Sequence, residues 1–179
     1  FDDAGQPKMR APRRDITLRH LLTHTAGFGY EFWNAETGRY QAATGTPGII
    51  SCTHAAMSQP LVFDPGERWG YGINTEWVGK IVETVSGQRL GDYLHHNLFA
   101  PLGMHSTSFK ISPSQRARLA SMHARGPDGT LAIVPFEIPQ EPQFQNGGGG
   151  LYSTAPDYLR FTQMLLHRGT FNGHQVLQP

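Results

Sequence analysis

The stretch from Asp64 to Asn74 presents a single phenol, Tyr71, between Gly70 and Gly72. Its proline and glycines are turn formers, so the sequence predicts a tight loop rather than the interior of a strand or helix. A phenol, with an ordinary pKa of about 10, can act as a base when a nearby ammonium group stabilises its anion. From the loop alone, the favoured interpretation is a half-buried phenol whose ring packs on the next helix and whose hydroxyl bonds to backbone.

Two other side chains of this loop are candidates for contact with a ligand. Trp69 could line a pocket for an acyl or alcohol group, or could pack the loop onto the rest of the domain. Asn74 could contact a ligand, but capping the helix that follows is the favoured role. Further along the chain, residues 147–150 are four consecutive glycines. Such a run is either a flexible linker or a place where backbone passes close to a ligand or a neighbouring element, and its structured flanks favour close approach.

The loop is positioned by a predicted helix that begins directly after it. Apolar residues at 77, 78, 81, 82 and 85 lie on one face of a helical period. Asn74 or Thr75 can cap the N-terminus of this helix, and Gly87 is placed where a left-handed residue would end it. A rigid helix would therefore hold the tyrosine loop.

Other elements are predicted from caps, stripes and breakers. Residues 17–26 are predicted to form a helix that is capped by Thr17 and ended by Gly27. Its buried face is a stripe of leucines (Leu18, Leu21, Leu22). A second helix starts near Leu90 and closes at residues 101–103, and a last one follows Thr154 with Pro156, a capping-box Asp157 and an apolar stripe (Tyr158, Phe161, Met164, Leu165, Leu166). Residues 105–109 and 130–136 read as extended pieces. Residues 28–63 contain many aromatic side chains, which are expected to form core, the favoured interpretation, or the wall of a pocket (Phe28, Tyr30, Phe32, Trp33 and Tyr40 among them).

Several kinds of chemistry have no motif in these residues. Neither Gly-x-Ser-x-Gly nor Ser-x-x-Lys occurs, and the glycine run lacks the ending of a phosphate loop. His20 and His24 are four residues apart, but without the glutamate of a zinc helix they are expected to bond nearby backbone. Cys52 is expected to be buried and inert. The sequence predicts no metal and no cofactor.

The composition of the chain limits the kinds of partner that it is expected to bind. The chain has 179 residues, 38% of them hydrophobic, with a net charge of +1. Such a balance gives no reason to expect nucleic acid, and no apolar run approaches the roughly 20 residues that span a bilayer. A small molecule is the expected partner, and oligomeric state stays open. The chain starts at Phe1 and stops at Pro179 without a folding reason, so we expect it to be truncated at both ends.

Four blocks in order carry a family resemblance. They are residues 16–27 (ITLRHLLTHTAG), 63–79 (FDPGERWGYGINTEWVG), 101–104 (PLGM) and 147–161 (GGGGLYSTAPDYLRF). This succession closely resembles serine hydrolases related to class C β-lactamases and penicillin-binding proteins, in particular the family VIII carboxylesterases. The resemblance implies an α+β fold of that type, with residues 1–179 forming part of one domain: mostly its helical region plus part of the sheet-bearing region.

The resemblance also implies roles. Tyr71 matches the tyrosine that serves as partner base to a serine and a lysine, both carried by a Ser-x-x-Lys helix outside this chain. The glycine run matches a segment that lines the pocket, which favours close backbone approach at Gly148 and Gly149. Where class C β-lactamases have Tyr-x-Asn, this chain has Ile73 in place of the asparagine, and Asn74 comes one position late. This departure favours hydrolysis of small carboxylic esters. The alternatives are a β-lactamase or D-alanyl-D-alanine peptidase, and a non-catalytic binding or scaffold relative.

Overall fold

The computed structural model describes residues 1–178, which form two compact units. The first unit comprises residues 1–93 and 142–150, and the second comprises residues 94–141 with 151 onward. Tyr71 and the glycine run both belong to the first unit. In the described part of the chain, no helix is long and apolar enough to cross a membrane.

The first unit is mainly helical. Its helices are α1 (Leu18–Leu22), α2 (Ala35–Thr44), α3 (His54–Met57), α4 (Asn74–Ser86) and the start of α5 (Leu90–Leu94), with a 3₁₀ turn at Ile49–Ser51. Its core is formed by apolar side chains from the helices and from the loops between them (Leu21, Ala26, Phe28, Tyr30, Ile49, Ala56, Met57, Ile73, Phe144). Helices α1 and α4 contact each other directly. The loop with Tyr71 therefore leads from the connection after α3 into α4.

Helix α1 is shorter than its sequence predicts. Thr17 caps it through a reciprocal capping box with His20, as two backbone–side-chain bonds of 3.2 Å show. The helix ends at Leu22 and not near Gly27, because His24 adopts a left-handed backbone with φ of 54°. Only Leu21 of the predicted stripe is buried. Five residues make barely more than one turn, so only one side chain faces the core.

Helix α4 has the predicted extent, but its N-terminus is capped differently from the prediction. Its N-cap is Ile73, and no side chain caps it, so the predicted cap by Asn74 or Thr75 is wrong. Both residues already belong to the first turn, and the side chain of Asn74 meets His24, in the segment after α1, instead. At the other end, Gly87 has φ of 70°, which confirms the predicted left-handed stop.

The second unit combines helices with two short hairpins. After α5 the chain continues as a π-helical turn (His95–Phe99), α6 (Ala100–Leu102) and α7 (Pro113–Arg116), and later as α8 (Ala155–Leu166). Strands β1 (Met122–Arg125) and β2 (Leu131–Val134) pair antiparallel with Met122 opposite Val134, and β3 (Thr170–Phe171) pairs with β4 (His174–Gln175). Its core includes Phe99, Leu102, Met104 and Met164.

Helix α8 has the predicted bounds but not the predicted burial. Thr154 accepts a hydrogen bond from the Asp157 amide, while the Asp157 carboxylate accepts from Ser106 and Thr107, so the capping box is half formed. Met164 is buried, whereas most of the other stripe residues are exposed (Tyr158, Leu165, Leu166). The predicted extended piece at 105–109 forms only one bridge, between Ser108 and Tyr152.

Candidate active site

The Tyr71 loop is fixed to the segment that follows α1 by backbone hydrogen bonds. The amide of Gly66 donates to the carbonyl of Thr25, and the amide of Gly70 donates to that of His24, both at 2.8 Å. Gly72 cannot carry a side chain, because a Cβ there would lie 2.2 Å from the carbonyl oxygen of Phe28. The residue before Tyr71 and the one after it are therefore both held in place.

The start of the loop is anchored by a buried carboxylate. Asp64 is 3% exposed and accepts two hydrogen bonds from the Arg10 guanidinium, at 2.7 and 2.9 Å, and one from the backbone amide of Arg13. The hydrogen bonds from Arg10 are the main reason why the pKa of Asp64 falls to about 2. The basic segment near the N-terminus thus acts here as a clamp on the loop.

The Tyr71 ring lies in a cluster of aromatic side chains. Its centroid is 4.8 Å from that of His24, 5.2 Å from those of Tyr30 and Trp33, and 6.4 Å from that of Trp69. The ring is 37% exposed, and its hydroxyl makes no hydrogen bond to any residue from 1 to 178. The alternative in which the hydroxyl bonds to backbone is therefore not what these residues show. The hydroxyl is free to meet a partner from outside the described residues.

Trp69 and Trp33 flank Tyr71 and are largely exposed, at 65% and 71%. Trp69 stacks on Tyr71 with only 14° between the ring planes. It therefore does not plug the loop onto the domain, and its face is available for contact with an apolar group. Trp33 in turn meets Phe32 edge-on at 5.6 Å. Of the aromatic run in residues 28–63, Phe28 and Tyr30 are core, whereas Phe32 and Trp33 form an exposed wall.

Asn74 is completely buried and makes its side-chain hydrogen bond with His24. The distance from Nδ2 of Asn74 to Nδ1 of His24 is 3.0 Å. Sequence reasoning expected His20 and His24 to bond backbone, which holds for His20 but not for the ring of His24. No local spacing signals that His24, Tyr30 and Trp33 converge on Tyr71, because they lie far from it along the chain.

A buried carboxyl group lies beneath the aromatic cluster. Glu76 is 2% exposed, and its Oε1 accepts a hydrogen bond of 2.8 Å from the hydroxyl of Tyr30. Burial raises the pKa of Glu76, and burial together with the adjacent carboxylate raises the pKa of Tyr30. Within residues 1–178, Glu76 forms no ion pair with a cationic side chain. Tyr30 therefore serves Glu76 as its principal hydrogen-bond donor.

The glycine run crosses the first turns of α4. A Cβ at Gly147 would lie 2.1 Å from the carbonyl oxygen of Thr75, and one at Gly148 would lie 2.7 Å from Oε1 of Glu76. Close approach is thus observed at Gly148 and also at Gly147, where it was not predicted. At Gly149 no atom of the described chain lies within 4 Å of the Cβ position, so its predicted role in lining a pocket stays a prediction.

The same unit contains a cavity of about 510 Å³. Its walls include Arg10, Met57, Gln59 and Trp77, but not Tyr71. The free phenol lies instead on the open aromatic surface, and the shape of the first unit alone does not enclose it.

Among the described residues, no three His, Cys, Asp or Glu side chains are grouped so that they could hold a metal ion. Cys52 is buried, as predicted, and burial raises the pKa of its thiol.

Comparison with known proteins decides the family. The beta-lactamase family model matches residues 6–179. The chain belongs to the beta-lactamase family. The fold resemblance drawn from the four blocks is thereby confirmed, while the narrower placement near family VIII carboxylesterases stays a prediction.

The relatives include acyl-transferring and ester-cleaving enzymes. Monacolin J acid methylbutanoyltransferase of Aspergillus terreus is 38% identical over 186 residues, which cover 100% of this chain and 44% of that protein. Lovastatin esterase of Penicillium rubens is 30% identical and covered to 46%. A solved structure of a simvastatin synthase mutant from Aspergillus terreus aligns with a TM-score of 0.87 at 38% identity, over 100% of this chain and 43% of that one. The chain thus spans less than half the length of these relatives.

Proposed function

We propose that the whole protein cleaves carboxylic esters through an acyl-serine intermediate and that Tyr71 is its general base. The observation that carries the proposal is the free hydroxyl of Tyr71, presented on an exposed aromatic surface by a loop fixed on both sides. Membership of the beta-lactamase family and relatives named as acyltransferases and an esterase support the reaction class. Serine and lysine partners come from a segment outside these residues, as the resemblance implies.

The proposed reaction has two half-reactions. In the first, the serine Oγ attacks the ester carbonyl while its proton passes to the Tyr71 phenolate, which a nearby ammonium group stabilises. The tetrahedral intermediate collapses, the C–O bond to the alcohol breaks, and the phenol returns its proton to the leaving alkoxide. In the second, water attacks the acyl-serine with the same proton movements and releases the acid. An alcohol in place of water would give a new ester.

Replacement of Tyr71 by Phe tests the proposal. In the full-length protein we expect Tyr71→Phe to lower kcat on a nitrophenyl ester by about 100-fold or more, the scale for the loss of a general base. Tyr158→Phe is the matched control, because Tyr158 is an exposed tyrosine of α8. Both variants should unfold at the temperature of the wild type. Unchanged turnover in Tyr71→Phe would contradict the base role.

Two further measurements separate the alternatives. Rates on a nitrophenyl ester and on a chromogenic cephalosporin distinguish an esterase from a β-lactamase, and Ile73 in place of the asparagine of Tyr-x-Asn favours the ester. Addition of an alcohol acceptor separates hydrolysis from acyl transfer through the ratio of acid to new ester. A scaffold protein would turn over none of these substrates and would not be labelled by a serine-reactive phosphonate.

A further inference from the structure

His24 has an unusual backbone and unusual connections for a residue in a short interhelical segment. Its φ of 54° places it in the left-handed region, which costs free energy for a residue with a Cβ and is more common at functional positions. Residues held in this way persist only where the surroundings fix them. Its amide donates to the carbonyl of Leu21 in α1, and its other contacts are with the Tyr71 loop and with Asn74, directly after it.

The backbone and the ring of His24 both act on the residues at Tyr71. The carbonyl accepts the amide of Gly70 at 2.8 Å, directly before Tyr71. The imidazole lies 4.8 Å from the Tyr71 ring, with the planes tilted by 52°, and meets Trp69 edge-on at 6.3 Å. Contacts at this distance limit movement of the Tyr71 ring toward His24.

The imidazole also holds the residue three positions after Tyr71. Nδ1 of His24 lies 3.0 Å from Nδ2 of Asn74, a side chain with no exposed surface. If the amide donates, Nδ1 accepts and the imidazole is neutral with its proton on Nε2. Burial lowers the pKa of His24, which favours this neutral form. Asn74 lies in the first turn of α4, where the Tyr71 loop ends, so the bond ties the start of that helix to the segment after α1.

We propose that His24 is a positioning residue for Tyr71. It holds the backbone before Tyr71 through Gly70, packs against the Tyr71 ring, and holds the chain after Tyr71 through Asn74. The proposal rests on the proposed function, in which the Tyr71 oxygen must reach a serine hydroxyl. A base displaced by about 1 Å can lose about 100-fold in rate. His24 touches no reacting atom, so its loss should lower kcat and leave KM for the ester nearly unchanged.

The test is a double-mutant cycle in the full-length protein with a nitrophenyl ester. We expect His24→Asn to lower kcat by about 10- to 100-fold, with KM within about twofold of wild type. Asparagine tolerates the left-handed backbone, so the variant removes mainly the ring. His96→Asn is the matched control, since His96 is exposed and belongs to the second unit. If His24→Asn does not fold, His24→Gly removes the ring from a position where glycine costs nothing in backbone strain.

The cycle separates positioning from a general loss of structure. Because His24 acts through Tyr71, adding His24→Asn to Tyr71→Phe should cause little further loss in kcat. An equal loss in both backgrounds, or an effect no larger than that of His96→Asn, would overturn the positioning role. If Tyr71→Phe lowers turnover and His24→Asn does not, only the inference about His24 fails. If His24→Asn lowers turnover and Tyr71→Phe does not, both the inference and the base role fail.

Discussion

Asp64 shows how one ionised side chain can fix the beginning of a loop, here the one that presents Tyr71. It is almost completely buried, yet it stays charged because Arg10 binds both of its oxygens and the amide of Arg13 adds a third hydrogen bond. Charge-assisted bidentate pairs of this kind are stronger than ordinary hydrogen bonds and fix geometry as well. The first residue of the Tyr71 loop is thereby attached to the N-terminal segment.

The clamp at Asp64 predicts a specific dependence of stability on pH. The pKa of Asp64 is lowered from 3.8 to about 2 in the folded protein, so its contribution is present above pH 3.8 and is lost as the pH falls through about 2. We expect Asp64→Asn to unfold at lower denaturant concentration than wild type at neutral pH. The difference between the two should shrink from about pH 4 downward.

Chemical denaturation of the two proteins over this pH range measures the effect. Asp15→Asn is the control, because Asp15 is exposed and substitutions at such positions change stability little. A difference between wild type and Asp64→Asn that stays constant down to pH 2 would show that the clamp contributes no charge-dependent stability.

Glu76 is also buried, but unlike Asp64 its carboxyl group has no cationic partner among the described residues. Removing the Tyr30 hydroxyl would leave that carboxyl without its principal donor, and unsatisfied buried groups are costly. Since burial raises the pKa of Glu76, its ionisation opposes folding as the pH rises through the folded value. The pair therefore favours one arrangement of the Tyr30 ring, whose edge meets Tyr71.

Helix α4 is the element on which the candidate site is assembled. The Tyr71 loop enters it at Asn74, its first turn carries Glu76, and the glycine run crosses the same turns. A side chain at Gly147 would collide with the backbone carbonyl of Thr75, which cannot move without disturbing the helix. Glycine is therefore required at Gly147 for a steric reason that does not apply to Gly149.

This contrast gives a paired prediction. Gly147→Ala should destabilise the protein by about 1–3 kcal/mol, the usual cost of forcing extra atoms into a packed site. Gly149→Ala should be close to neutral, because its Cβ would meet open space and Gly149 does not have a positive φ. Thermal or denaturant unfolding of both variants checks the prediction. Equal effects of the two substitutions would contradict the packing of the run against α4.

At the scale of the whole molecule, the described residues contain the proposed base, Tyr71, but not the Ser-x-x-Lys motif that the proposed reaction requires. No Ser-x-x-Lys occurs in the 179 residues, and the relatives are more than twice as long as the part they share with this chain. The free hydroxyl of Tyr71 and its exposed aromatic neighbours are what a site completed by further chain would require. The proposed activity therefore belongs to the full-length protein.

The purified segment of residues 1–179 should accordingly show no ester turnover above background, whereas we expect the full-length protein to turn over a nitrophenyl ester. Without an acyl-accepting serine and its lysine, the phenol has no hydroxyl to deprotonate. The measurement compares the two proteins at equal concentration and verifies by circular dichroism that the segment is folded. Turnover by a folded segment that Tyr71→Phe abolishes would show that the nucleophile lies within these residues.

The sequence by itself determined the features that depend on local chemistry and on block order. Periodicity and breakers predicted helices α4 and α8, the left-handed stop at Gly87 and the loop that presents Tyr71. The order of four blocks predicted the family, which comparison confirmed. These features are determined locally, because a cap, a stripe or a turn residue acts on neighbours a few positions away.

Only the tertiary structure decided which distant side chains meet. The contacts of His24, Tyr30 and Trp33 with Tyr71, the burial of Asn74 and the packing of Gly147 rather than Gly149 all join segments far apart along the chain. Local patterns carry no information about such pairs. They depend on how α1, α4 and the glycine run pack around a shared core, and a shift of one residue in any of them would bring other side chains together.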